Sequence, residues 1–93
     1  GLLQEDKLLV VDFYATWCGP CKKLSPTLDE VSEELGEQVN IVKVDVDESE
    51  DLAMDYGIRS VPTVLFFKNG QQVDKFVGAL PKSEIVAKIQ AQL

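Results

Sequence analysis

Residues 8–14 read L-L-V-V-D-F-Y, an apolar run of strand-forming types broken by a single Asp. A strand with one wet face alternates apolar and polar side chains. An unbroken run instead fits a strand covered on both faces, as in a parallel sheet. Together with the helical segments that follow, such a strand fits an α/β layering. The remaining segments supply the parts. Leu24, Leu28, Val31 and Leu35 recur at helical spacing, so a helix is expected over about 19–35, stopped by Gly36 and kinked by Pro26. A second strand is expected at 39–45, followed by a short helix at 49–56. D-E-S-E (47–50) offers that helix capping acids and a hydroxyl, and Gly57 ends it. The runs 63–68 and 72–77 flank Asn69-Gly70, the strongest local signal for a hairpin. Pro81 opens a last helix, 81–93, with Ile85, Val86, Ile89 and Leu93 on its apolar face.

At 93 residues this is one domain, 1–93, with no linker or repeat. Nine basic against sixteen acidic residues give a net charge of −7. Such a surface repels phosphate backbones and anionic lipid, so neither nucleic acid nor membrane is expected as a partner. No apolar run approaches the length of a membrane span. The opening L-L-Q-E-D-K lacks the basic region and apolar stretch of a signal peptide, which leads to an expected cytoplasmic location.

The only two cysteines stand in W-C-G-P-C-K, at Cys18 and Cys21. As a staple they would do little: closing so short a loop contributes about 2 kcal/mol in the chain-entropy model, against about 4.7 for a 100-residue loop. A zinc site needs four ligands, and the chain has no histidine, so two cysteines could form one only across a dimer. No metal site is expected. Position favours a redox couple. Between a buried strand and a helix start, Cys18 falls at the N-cap, where free amides and the helix dipole favour a thiolate. Pro20 fits the first turn because it has no N–H to satisfy. Cys21 lies one turn on and points back, placed to resolve a mixed disulfide.

Other residues carry two readings each. Asp12, flanked by apolar neighbours, either faces water or is desolvated with a raised pKa, in which case it suits a general base for Cys21. Lys43 is either a solvated strand residue or functional. Trp17 is a core aromatic or, next to the nucleophile, part of a docking surface.

At this point the chain resembles the thioredoxin family. The resemblance rests on V-V-D-F-Y-A-T-W-C-G-P-C-K (10–22), K-V-D-V-D (43–47), Y-G-I-R-S-V-P-T (56–63), F-F-K-N-G (66–70) and V-G-A-L (77–80), in that order. It implies a buried acid at Asp12 behind the dithiol, a lysine near it at Lys43, and a cis proline at Pro62 facing the cysteines. It also implies a peptide-binding groove around Trp17, Gly19 and Pro20, with Ile58, Val61, Pro62, Gly78 and Ala79 on its other wall. The chain matches the family from Leu2 onward, without the usual first strand and most of the first helix. A four-stranded mixed sheet is therefore expected, in the order 39–45, 8–14, 63–68, 72–77. The 39–45 edge is then open to pairing in a homodimer.

The expected function is a thiol–disulfide oxidoreductase that reduces protein disulfides, with no bound cofactor. By resemblance, electrons come from NADPH through thioredoxin reductase. The alternative is a protein-docking module of the same fold with an incidental dithiol, which would keep its role in a Cys18→Ser variant.

Overall fold

The computed structural model describes residues 7–93; the opening segment as far as Asp6 lies outside the described residues. The elements are β1 (Leu8–Tyr14), α1 (Gly19–Leu35), β2 (Val39–Asp45), α2 (Glu50–Asp55), β3 (Thr63–Lys68), β4 (Gln71–Val77) and α3 (Lys82–Gln92). The sheet order is β2-β1-β3-β4, as expected. β1 runs parallel to β2, with Asp12 opposite Lys43, and antiparallel to β3, with Asp12 opposite Val64. Asn69 and Gly70 both take positive φ (55° and 81°), the two-residue turn whose twist matches the strands it joins. Among the described residues β2 pairs with β1 alone.

Alternation along β1 divides the core. Leu8 and Val10 point to one face, where they pack with Leu24, Leu28 and Val31 of α1 and Ile85 and Ile89 of α3. Asp12 continues that same face toward the N-terminal end of α1. Val11 and Phe13 point the other way, against Ala53 of α2 and Leu65. α1 buries Cys21, Leu24, Leu28 and Val31, spacings of three and four that form one stripe. Truncating Leu28 there to Ala would cost about 2–5 kcal/mol.

The structure corrects several sequence expectations. The 8–14 run is not fully covered on both sides. On the α2 face Leu9 and Val11 remain part-exposed, beside a groove of about 650 Å³ that Val42, Val44, Leu52, Tyr56 and Phe67 also line. Six residues of α2 are too short to roof it. Ser49 stands at the N-cap of α2, but its hydroxyl makes no capping bond. Gly36 ends α1 in right-handed backbone. What demands glycine there is space, because a Cβ would lie 2.6 Å from the Ser32 carbonyl oxygen. Gly57, in contrast, has φ +67°. Its N–H bonds the Met54 carbonyl and that of Ile58 bonds the Ala53 carbonyl, the paired bonds of a Schellman end. Leu93 is exposed and lies outside the apolar face of α3.

Candidate active site

The site forms beyond the carboxyl ends of parallel β1 and β2, the usual place for one in α/β sheets. From Tyr14 the chain turns tightly, with the Cys18 N–H bonded to the Ala15 carbonyl at 3.2 Å. Cys18 is the N-cap of α1, with extended backbone (φ −89°, ψ 116°). The Cys21 N–H donates to Cys18 Sγ at 3.2 Å. Cys18 and Cys21 are joined as a disulfide, with Cα atoms 5.3 Å apart. Gly19 and Pro20, both exposed, make the first turn between them. No acidic residue stands in that turn to oppose a thiolate. The two cysteines are almost equally buried, at 4% and 3% exposure, so the amide bond to Cys18, not accessibility, distinguishes them.

Trp17 is 68% exposed beside the pair and is no core residue. Its indole Nε1–H donates to Asp47 Oδ2 at 2.9 Å. On the other side comes the segment that leaves α2. Val61–Pro62 is a cis peptide bond, and the Val61 carbonyl oxygen lies 3.7 Å from Cys18 Sγ. The Pro62 carbonyl accepts the Gly78 N–H at 2.9 Å, and Gly78 holds φ +95°. Thr63, buried, donates its hydroxyl to the Ser60 carbonyl at 2.7 Å. Trp17, Ile58 and Val61 share a shallow groove with Val46, Arg59 and Ser60. Ala79 is exposed next to Gly78 and does not line this groove.

Behind the dithiol, Asp12 is 1% exposed and its Oδ1 has no hydrogen-bond partner among the described residues. Burial pushes its carboxyl up to about 6, against a smaller opposing pull from the Lys43 charge. A hollow of about 280 Å³ lies against Asp12 and Cys21 and is also lined by Tyr14, Lys22, Ser25 and Lys43. The Lys43 ammonium donates to Ser25 Oγ at 2.6 Å and to Asp29 Oδ1 at 2.9 Å.

Arg59, Ser25 and Asp29 carry no sequence signal of a site role, and Asp47 is expected only as a capping acid for α2. The Asp47 contact with Trp17 spans 30 residues of chain, so no local pattern signals it. Among the described residues no group of three or more His, Cys, Asp or Glu side chains is arranged to hold a metal ion.

The whole arrangement has close counterparts. The family model described as Thioredoxin matches residues 1–91. The chain belongs to the thioredoxin family. It is 44% identical over 92 residues to Thioredoxin 1 of Synechococcus elongatus, covering 99% of this chain and 86% of that protein. It is 42% identical to the chloroplastic M-type thioredoxin of Spinacia oleracea, over 99% of this chain and 51% of that one. The X-ray structure of Fasciola hepatica thioredoxin superposes with a TM-score of 0.88 at 37% identity, over 96% of this chain and 84% of that one. The fold is accordingly thioredoxin-like, a four-stranded mixed sheet flanked by three helices. With its Cys18–Cys21 pair, this thioredoxin-family chain is a thiol–disulfide oxidoreductase that acts as a protein-disulfide reductase.

Proposed function

We propose that Cys18 is the attacking thiolate and Cys21 the resolving thiol, with Asp12 as the base. In the reduced chain, Cys18 Sγ attacks one sulfur of a substrate disulfide. The substrate's other sulfur leaves as a thiolate and takes a proton from solvent. Cys21 then passes its proton to Asp12, and its sulfur attacks Cys18 Sγ. The second substrate sulfur leaves as a thiolate, the Cys18–Cys21 bond closes, and Asp12 returns its proton through solvent as that thiolate is protonated. Two electrons pass to the substrate, one disulfide is broken and one is formed.

The observation that carries these roles is the Cys21 amide donating to Cys18 Sγ. It stabilises negative charge on that sulfur and leaves Cys21 to be deprotonated by a neighbour. With a carboxyl near 6, Asp12 is mostly ionised at neutral pH and strong enough to share a thiol proton. Lys43 belongs to the same hollow. Ile58, Val61, Pro62 and Gly78 would form the wall along which a substrate backbone lies, with Trp17, Gly19 and Pro20 opposite and Ala79 exposed beyond it. Pro62 carries no N–H, and Gly78 no side chain, to obstruct it.

The oxidised pair would be returned to the dithiol by thioredoxin reductase with electrons from NADPH, in the cytoplasm. No helix of the described residues is long and apolar enough to cross a membrane. A second copy pairing along the β2 edge, which no described strand covers, would give a homodimer, which sedimentation at micromolar concentration would reveal.

Insulin reduction with a dithiol source tests the central claim. Turnover should vanish in Cys18→Ser, while Cys21→Ser should accumulate the mixed disulfide. A Cys18→Ser variant that retains the biological role would instead support a docking module.

A further inference from the structure

Lys43 and Asp12 sit side by side in parallel register, on the same face of the sheet. Neighbouring strands lie about 4.8 Å apart, so a lysine side chain can reach across to the adjacent carboxylate. Here it does not. Asp12 Oδ1 has no partner among the described residues, and the ammonium turns outward to Ser25 Oγ and Asp29 Oδ1. Both acceptors come from α1, four residues apart, and with Cys21 they form one stripe at positions i, i+4 and i+8. The helix that carries the resolving thiol therefore also carries the two groups that hold the lysine.

We propose that Ser25 and Asp29 are positioning residues that hold the Lys43 ammonium at the mouth of the hollow, away from the Asp12 carboxylate. This rests on Asp12 serving as the base for Cys21. An ammonium in direct contact would favour the ionised carboxylate and lower its pKa by about 1–3 pH units, leaving a weaker acceptor for the Cys21 proton. Held outward, the lysine acts on Asp12 only through space, in keeping with its secondary pull on a carboxyl raised by burial.

Few other groups compete for control of Asp12. On its own strand the neighbour lining the hollow is Tyr14; α1 contributes Cys21, Lys22 and the tether itself; β2 contributes Lys43. Its partner on β3 is Val64, which carries no charge.

The test is the titration of Asp12, followed by carboxyl carbon NMR in reduced protein, for Ser25→Ala and for Ser25→Ala with Asp29→Asn. Each is made with Lys43 present and with Lys43→Met. Releasing the lysine should move the Asp12 midpoint down by about one pH unit in the double variant, and part of the way in Ser25→Ala. Resolution of the mixed disulfide should slow by about threefold above neutral pH, as expected for a weaker base. With Lys43→Met the same substitutions should move the midpoint by no more than a few tenths, which separates tethering from the lost Asp29 charge. Ser25→Thr should restore the midpoint. Equal movement with and without Lys43, or none in either, overturns the proposal. The titration is read independently of turnover. If Asp12→Asn leaves resolution unslowed, the base assignment fails while the positioning of Lys43 is still decided by the midpoints.

Discussion

The Trp17 indole N–H donates to the Asp47 carboxylate at 2.9 Å, fastening the most exposed aromatic at the dithiol to the turn after β2. The bond fixes the ring without burying it, which leaves its faces open for the proposed contact with a substrate. Replacing Asp47 with Ala should free the ring and raise KM for a protein disulfide by a few-fold, as for loss of one ordered contact residue at an interface. The fluorescence anisotropy of this single tryptophan should fall in parallel. Unchanged anisotropy would show that the indole is held by other means.

The amide bond to Cys18 Sγ leads to an order of reactivity. Alkylation of reduced protein near neutral pH should label Cys18 well before Cys21, with an apparent Cys18 pKa below the usual value of about 8.5. Equal labelling, or Cys21 first, would contradict the assigned roles.

Asp12 gives a stability change with a definite sign. Its carboxyl is raised from 3.8 to about 6 by burial, so between those values the folded chain binds the extra proton. The folded state is thus favoured at low pH and loses that advantage as pH rises through 6, by about 3 kcal/mol in all. Asp12→Asn should therefore be more stable than the parent above pH 7, with the gain shrinking toward zero near pH 4. Urea unfolding at the two pH values checks it, and a gain independent of pH would exclude ionisation as its source.

Gly78, whose N–H bonds the Pro62 carbonyl, gives a stability prediction. A Cβ there would meet nothing within 4 Å, so the demand for glycine lies in its φ of +95°. Gly78→Ala should destabilise the fold by about 1–2 kcal/mol through backbone conformation alone. Chemical unfolding measures this directly.

How much of this could be read beforehand depended on how local its causes are. The Asn69-Gly70 turn and the stripe of α1 are fixed by neighbours in sequence, and both formed where expected. Burial of Asp12 followed from its apolar flanks. The order of the strands came from the likeness to a family, since no local pattern dictates that β1 lies between β2 and β3. What escaped notice is tertiary. Ser25 and Asp29 look like ordinary helix-surface polar residues until β2 brings Lys43 to them, 18 and 14 positions away. Ser49 had the right residue type for a cap, yet a preferred residue does not guarantee the bond.

The segment 58–62 is tied at three points: the Ile58 N–H to Ala53, the Ser60 carbonyl to the Thr63 hydroxyl, and the Pro62 carbonyl to Gly78. In the proposed docking, a peptide strand arriving beside Cys18 would meet a backbone already tied in place, and the conformational entropy lost on association would be mostly the peptide's own. Discrimination between substrates then falls to how readily each can present its disulfide in extended form. A disulfide in a flexible loop meets that condition at small cost, whereas one locked inside a packed domain must first unfold locally. Under the proposed docking, the tethering of these five residues would act, in effect, as a sensor of looseness in the targets.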